Sequence, residues 1–203
     1  MLLLYVLIIV LSYLIGNIFS SYIISKAIFG KDIRMQGSKN AGTTNALRTF
    51  GFKAGLATFL GDYFKGTIAV LIAMLIARKA NLDIDLAKYI ATLAVVAGHN
   101  WPVLLKFRGG KGVATTYGAL LAIAPLPTLA SMLFFIVLAL VTKYVSVASI
   151  LGVCLFPILM IMRSDLGGVW VCLLLSVSVI YKHKENIKRL LKGEESRLDL
   201  KKK

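Results

Sequence analysis

The chain has 203 residues, of which 58% are hydrophobic, and its mean hydropathy is +0.81. A soluble domain of this length does not carry so much apolar surface, and the long apolar runs lack the alternation that membrane strands show. The composition therefore predicts an all-α, polytopic membrane protein. The net charge of +15 fits the positive-inside rule, so we expect no nucleic-acid partner.

Seven apolar segments of the chain are interpreted as transmembrane helices. They run about 2–25, 54–77, 86–105, 112–124, 126–142, 144–162 and 166–181. The first lacks a preceding basic segment and a cleavage site, so we interpret it as a span and not as a signal peptide. The fourth is short, and the prolines Pro125 and Pro127 predict a tight turn between the fourth and fifth spans.

The basic residues predict how these spans are oriented. With the N-terminus outside, nineteen of the 24 lysines and arginines lie in inside segments and four in outside segments. This asymmetry predicts that the N-terminus is outside and the C-terminus inside, with a basic cytoplasmic tail at about 182–203. Three polar segments, 31–53, 98–116 and 181–203, then face the cytoplasm. We expect residues 1–203 to form a single domain.

The first polar cluster spans residues 37–51. Gly37 and Gly42 allow the backbone to approach an anion closely. One of the two threonines after Gly42 is expected to cap a helix, and the start of a helix is an anion site. Arg48 on that helix can bind phosphate oxygens through two hydrogen bonds. Thr43 stands where a Walker A loop requires lysine, which excludes that nucleotide-binding motif. The alternative is a polar connecting loop.

The second polar cluster spans residues 98–115 and contains His99, one of two histidines in the chain. Lys111 lies among three glycines, and flexible backbone N–H groups beside an ammonium make a phosphate-binding nest. Lys106 and Arg108 are equally well explained as topology signals.

The third polar cluster spans residues 181–195. His183, Asn186 and Leu190 recur at helical spacing, so they are predicted to line one helix face where the seventh span ends. The alternative is a charged amphipathic tail on anionic lipid.

Two charged residues, Asp62 and Lys65, lie three positions apart inside the second span. Charges within a membrane usually pair, so we predict a structural ion pair that faces the bundle. Asp32 and Arg34 are predicted to brace the first cluster in the same way. The two cysteines, Cys154 and Cys172, lack the spacing of metal ligands.

Taken together, the three clusters resemble one family, the acyl-phosphate-dependent glycerol-3-phosphate acyltransferases of bacteria (the PlsY family). The matching residues of the first cluster are Gly37, Ser38, Asn40, Gly42, Thr44, Asn45, Arg48 and Gly51. Those of the second are Gly98, His99, Asn100, Pro102 and residues 109–115. Those of the third are His183, Asn186, Ile187, Arg189, Leu190, Leu191, Gly193 and Glu195. The order of the motifs and the spans between them match over nearly the whole chain, whereas Lys39 and Ala41 stand where glycine and proline are expected.

The resemblance implies transfer of a fatty acyl group from acyl phosphate to the 1-hydroxyl of glycerol 3-phosphate, giving lysophosphatidic acid and phosphate. We expect a monomeric multi-pass enzyme of the bacterial cytoplasmic membrane, with its active site on the cytoplasmic side. Because no cluster of metal ligands occurs in the sequence, we expect no metal, and we expect no cofactor. The catalytic residues expected are Ser38, Arg48, Lys111, His183 and Asn186. The substrate- and phosphate-binding residues expected are Gly37, Asn40, Gly42, Thr44, Asn45, His99, Asn100, Gly109, Gly110, Gly112, Gly193 and Glu195.

The route of the reaction is partly open at this point. An acyl phosphate is already activated, so a covalent enzyme intermediate is unnecessary. Ser38 lies outside any GxSxG motif and is interpreted as a phosphate ligand. His183 either holds phosphate, while the donor phosphate accepts the hydroxyl proton, or acts as the general base.

Two other classes of function compete with this hypothesis. A transporter for anions or phosphate esters would use the same basic loops, but it requires polar residues along its spans. A lipid transferase that uses a nucleotide-activated alcohol usually needs an acidic metal-binding cluster, and the nine carboxylates of this chain are scattered.

Overall fold

The computed structural model describes residues 1–198, and within that range it contains helices and no strands. Ten α-helices, numbered α1 to α10, span Leu2–Gly16, Ser20–Phe29, Thr43–Phe50, Phe52–Lys79, Ile84–Asn100, Val113–Ile123, Pro125–Thr142, Val145–Met162, Leu166–Lys182 and Lys184–Leu191. Two single-turn 3₁₀ helices span Ile33–Met35 and Val103–Leu105. The last residues of the predicted basic tail, 199–203, lie outside the described range.

The chain forms two compact units, the first from Met1 to Ile123 and the second from Ala124 onward. Each predicted apolar segment contains a helix, and a single residue, Ala124, separates α6 from α7. Within residues 1–198, four segments are long and apolar enough to cross a membrane, namely Leu2–Phe29, Phe52–Lys79, Pro125–Thr142 and Val145–Met162. Helices α9 and α10 make a fifth if counted together across their 58° bend. Helices α5 and α6 are shorter than these segments, so the total of seven spans stays a prediction.

The first predicted span was expected to be one continuous helix, but the structure divides it into the two helices α1 and α2. The break lies between Gly16 and Ser20. A Cβ at Gly16 would collide with the carbonyl of Val95, and a Cβ at Gly98 would collide with the carbonyl of Tyr13. These glycines let α1 and α5 approach backbone to backbone, as small residues do in membrane helix pairs.

Close contact between α4 and α6 completes the first unit. A Cβ at Gly66 would meet the carbonyl of Thr115, and a Cβ at Gly118 would meet the carbonyl of Tyr63. Thr67 Oγ1 donates a hydrogen bond to the Gly118 carbonyl at 2.7 Å. Such bonds stabilise helix pairs in lipid, where water is absent.

The second unit consists of α7 to α10. Pro157 lies inside α8 and has no N–H to offer the carbonyl of Val153. Ser176 Oγ of α9 donates to the Cys172 carbonyl at 2.7 Å and also lies 3.4 Å from the Val153 carbonyl. Ser131 Oγ of α7 donates to the Gly152 carbonyl at 2.7 Å. Because unpaired carbonyls are costly in lipid, these serines stabilise the three-helix packing.

Candidate active site

The first glycine-containing segment, residues 32–42, is called loop A, and a buried asparagine of α3 holds it. Asn45 Oδ1 accepts a hydrogen bond from Ser38 N at 2.9 Å. Asn45 Nδ2 donates to the carbonyls of Ile33 at 3.2 Å, Gln36 at 2.9 Å and Asn40 at 3.0 Å. The amide of Asn45 therefore shapes loop A, and its predicted contact with phosphate stays a prediction.

Loop A requires glycine at position 37 for two reasons. Gly37 has a φ of +53°, and a Cβ there would collide with Asn45 Oδ1 and lie 2.9 Å from Thr49 Oγ1. At the end of the loop, Gly42 is the N-cap of α3, and no side chain within residues 1–198 caps that helix. The prediction of a threonine cap is wrong, because Thr43 and Thr44 are the first two helical residues.

Asp32 and Arg34 brace the start of loop A, as predicted. Arg34 donates to both carboxylate oxygens, with Nε–Oδ1 at 3.0 Å and Nη2–Oδ2 at 2.7 Å. Asp32 also caps the following 3₁₀ helix by accepting from Arg34 N at 2.9 Å. The hydrogen bonds from Arg34 lower the pKa of Asp32, so the carboxylate stays ionised at neutral pH.

The second glycine-containing segment, residues 101–112, is called loop B, and it folds onto the end of α5. Gly110 N donates to the His99 carbonyl at 3.0 Å. A Cβ at Gly110 would collide with the His99 ring, and one at Gly112 would lie 2.7 Å from Asn100 Oδ1. Gly112 also has a φ of +77°, which favours glycine. Loop B, which carries Lys111, thus packs against His99 and Asn100.

His99 is buried, and its Nδ1 lies 2.8 Å from Lys65 Nζ. Lys65 in turn pairs with Asp62 at 3.0 Å, which confirms the predicted ion pair in the second span. The Nδ1 atom of His99 therefore faces the buried Lys65–Asp62 pair. In the structure His99 supports loop B, and the substrate-binding roles predicted for His99 and Asn100 stay predictions.

One small apolar core packs against both loops. Phe19, Ile33 and Ala41 are buried together, and Leu105 of loop B packs against them. The Phe19 ring also stacks on His99 with ring centroids 4.9 Å apart. The structure thus brings the first two predicted clusters together within the first unit. Ser38 and Arg48 are exposed, and Lys111 is partly exposed.

In the second unit, His183 lies at the bend between α9 and α10, where it ends one helix and begins the other. The prediction that His183, Asn186 and Leu190 share one continuous helix face is corrected accordingly. His183 is buried, and its Nδ1 lies 2.8 Å from the Val179 carbonyl. A carbonyl only accepts, so Nδ1 carries the proton, and in the neutral ring the basic lone pair lies on Nε2.

Glu195 is the centre of a buried polar cluster that sequence reasoning did not foresee. Its Oε1 accepts from Asn186 Nδ2 at 2.7 Å and from Ser146 Oγ at 2.9 Å, and its Oε2 accepts from Arg189 Nε at 2.8 Å. Burial opposes ionisation of the carboxyl, but these hydrogen bonds outweigh it and lower the pKa of Glu195. In the structure Glu195 orients Asn186 and Ser146, and its predicted contact with substrate stays a prediction.

Gly193 brings Glu195 into this cluster by reversing the chain after α10. Its φ is +72°, and Glu194 N donates to the Arg189 carbonyl at 2.8 Å, as at many helix ends. Open space surrounds a Cβ built at Gly193, so the conformation and not a close contact selects glycine there. Sequence reasoning missed Ser146, which lies at the start of α8.

Comparison with known proteins gives a consistent result. A family model described as glycerol-3-phosphate acyltransferase matches residues 6–193. The glycerol-3-phosphate acyltransferase of Clostridioides difficile (strain 630) is 54% identical over 198 residues, which cover 98% of this chain and 97% of that protein. That of Finegoldia magna is 43% identical and covers 93% of both chains.

Solved structures agree with these relatives. The crystal structure of PlsY (YgiH), an integral membrane glycerol 3-phosphate acyltransferase, in its glycerol 3-phosphate form matches with a TM-score of 0.87, 35% identity and 96% coverage of both chains. A lysophosphatidic acid form of PlsY matches with a TM-score of 0.85. The predicted family is thereby confirmed, and the chain belongs to the glycerol-3-phosphate acyltransferase family of integral membrane proteins.

Proposed function

We propose that this protein transfers a fatty acyl group from acyl phosphate to the 1-hydroxyl of glycerol 3-phosphate, releasing lysophosphatidic acid and phosphate. Membership of the family supports the acyltransferase activity and the acceptor. The observation that carries the proposal is the pair of glycine-containing loops in the first unit. Arg48 lies on α3, the helix that follows loop A, and Lys111 lies in loop B. Two phosphate-bearing substrates need two anion sites, and Arg48 and Lys111 supply the charges.

Loop A and the start of α3 suit one phosphate. The N-terminus of α3 lacks a side-chain cap among the described residues, so its first N–H groups point toward whatever anion lies there. Ser38 is exposed and can donate a hydrogen bond through its hydroxyl, and Arg48 adds a bidentate cation. We assign these groups to the phosphate of the acyl donor.

Loop B suits the other phosphate, which we assign to glycerol 3-phosphate. Gly109, Gly110 and Gly112 let loop B pack closely over the end of α5, and Lys111, which is partly exposed, adds an ammonium there. This assignment agrees with the resemblance, in which the second motif is associated with glycerol 3-phosphate.

The chemistry needs one bond to form and one to break. The 1-hydroxyl oxygen of glycerol 3-phosphate attacks the acyl carbonyl carbon, and the bond from that carbon to the phosphate oxygen breaks. Phosphate leaves with the bonding pair, and the hydroxyl proton goes either to the departing phosphate or to His183 Nε2. Because phosphate is a good leaving group, the reaction needs no acyl-enzyme on Ser38.

Within the second unit, His183 and Asn186 are held in fixed orientations. The bond to the Val179 carbonyl fixes the orientation of the His183 ring, and the Glu195 carboxylate fixes the Asn186 amide. Orientation by a neighbouring acceptor is what a general base requires. A His183 ring that is protonated would instead donate to phosphate, and the pH dependence distinguishes the two roles.

The membrane arrangement belongs to the same proposal. Seven spans with the N-terminus outside and the C-terminus inside agree with the charge asymmetry, and they place the three polar clusters on the cytoplasmic side of a bacterial inner membrane. We propose a monomeric, single-domain enzyme. A cysteine introduced at Glu194 should react with an impermeant maleimide only after the cells are permeabilised, and labelling of intact cells would refute this orientation.

The activity is tested with protein purified in detergent, radiolabelled glycerol 3-phosphate and palmitoyl phosphate. We expect lysophosphatidic acid and phosphate in equal amounts, and no product when palmitoyl-CoA replaces the acyl phosphate. Product from palmitoyl-CoA alone would overturn the proposed donor. A protein that carries glycerol 3-phosphate into sealed vesicles without forming product would instead be a transporter.

A further inference from the structure

A buried cluster surrounds the two charged side chains of α4. Asp62 and Lys65 are 1% and 5% exposed, and Asp62 Oδ1 lies 3.0 Å from Lys65 Nζ. A buried ion pair repays its desolvation only when further hydrogen bonds satisfy both partners. Charges inside a membrane protein are moreover often tied to function. The other hydrogen-bond partners of Asp62 and Lys65 therefore indicate which residue the pair positions.

The Lys65 ammonium has three donors, and the structure gives it three acceptors. Besides Asp62, it donates to the Ile18 carbonyl at 2.6 Å and to His99 Nδ1 at 2.8 Å. Ile18 lies at the break between α1 and α2. Because an ammonium only donates, His99 Nδ1 accepts and the ring proton lies on Nε2. Ser20 Oγ donates to Asp62 Oδ1 at 3.2 Å and completes the cluster.

His99 connects this cluster to both loops. Its carbonyl accepts from Gly110 N at 3.0 Å, and its ring lies directly against Gly110, where a Cβ would collide with it. Its other neighbour is the stacked ring of Phe19, which packs against Ile33 and Ala41 of loop A. A rotation of the His99 ring would therefore displace loop B and disturb the core beneath loop A.

We propose that Asp62, Lys65 and Ser20 are positioning residues that fix the His99 ring and, through it, the phosphate-binding conformation of loop B. They act through His99 and not by touching substrate. This inference rests on the proposed function, in which loop B binds glycerol 3-phosphate. It assigns the intramembrane charges to substrate affinity, in addition to the stability that any buried ion pair affects.

The test is the neutral double variant Asp62→Asn with Lys65→Met, which removes both charges together and leaves no buried charge unpaired. We expect the KM for glycerol 3-phosphate to rise about tenfold or more while kcat stays within about threefold, the pattern of lost ground-state binding. The matched control is Asp85→Asn with Lys88→Met, another i,i+3 pair, whose Asp85 carboxylate is largely exposed. The control should keep both kinetic constants within about twofold.

A double variant with the KM of the wild type, or with a lowered kcat alone, overturns the inference. If it does not fold, Ser20→Ala removes only the 3.2 Å bond to Asp62. That variant should raise the KM about two- to fivefold with an unchanged kcat, and an unchanged KM refutes the proposal. Wild-type protein and the Asp85/Lys88 control test the proposed function separately, because their inactivity would contradict the function and not the positioning role.

Discussion

The Asn45→Ala variant tests whether the amide of Asn45 builds loop A. The substitution removes four hydrogen bonds between 2.9 and 3.2 Å to Ser38 N and to three loop carbonyls. At ~0.5–1.5 kcal/mol net for each bond, and with part of the loss recovered by water at the exposed loop, the ordered loop loses about 2–4 kcal/mol. Because 1.4 kcal/mol is about tenfold in population, kcat/KM should fall between about 30-fold and several hundred-fold.

The assay measures lysophosphatidic acid formation from palmitoyl phosphate at varied glycerol 3-phosphate, together with thermal unfolding in detergent. We expect the melting temperature to stay within about 5 °C, because the lost bonds order a surface loop. Thr49→Val is the control, since it removes one contact of 3.4 Å to the Asn45 amide, and it should change kcat/KM less than about threefold. An Asn45→Ala protein that folds and keeps a third of its kcat/KM would refute the role of the amide.

Three further predictions concern the charges and the histidine. Arg48→Ala and Lys111→Ala should each lower kcat/KM at least about tenfold, since a charge-assisted contact contributes ~1.5–3 kcal/mol, and full activity in either variant contradicts its phosphate assignment. His183→Asn should abolish an ionisation near neutral pH in the pH–rate profile if His183 is the base, whereas a raised KM with the profile retained indicates phosphate binding. Glu195 has a lowered pKa, so its contribution to stability is full above the ordinary value of 4.5 and is lost as the pH falls through the lowered value. Acid unfolding of Glu195→Gln should lack that component, and identical acid melting curves for the two proteins would contradict it.

The residues that a sequence identifies most reliably here are those whose role is local. The apolar segments predicted the helices because hydrophobicity along the chain is a local property. The pairs Asp62–Lys65 and Asp32–Arg34 were predicted because their members are two or three positions apart and meet within one element. The resemblance to family motifs predicted, in addition, that the three polar clusters carry the function.

Predictions were weaker where polar groups find partners far along the chain. The resemblance predicts that Asn45, His99 and Glu195 bind substrate, but the spacing of a motif does not show which groups of the protein these side chains also bond. In the structure Asn45 bonds the carbonyl of Ile33, which is 12 residues earlier, and Glu195 bonds Ser146, which is 49 residues away. Such pairings depend on how helices pack, so they are invisible in spacing alone.

The sequence by itself determined that the chain is helical and apolar enough to cross a membrane, and it predicted that its cations favour the cytoplasmic side and that its glycine-containing clusters bind phosphate. Those conclusions follow from composition, periodicity and charge, which can be read from the sequence without knowledge of the fold. Only the tertiary structure showed which groups of the protein the polar side chains bond. The reason is that a buried amide, imidazole or carboxylate must be satisfied by whatever group the fold places beside it, and in this protein Phe19, Lys65 and Ser146 occupy those places.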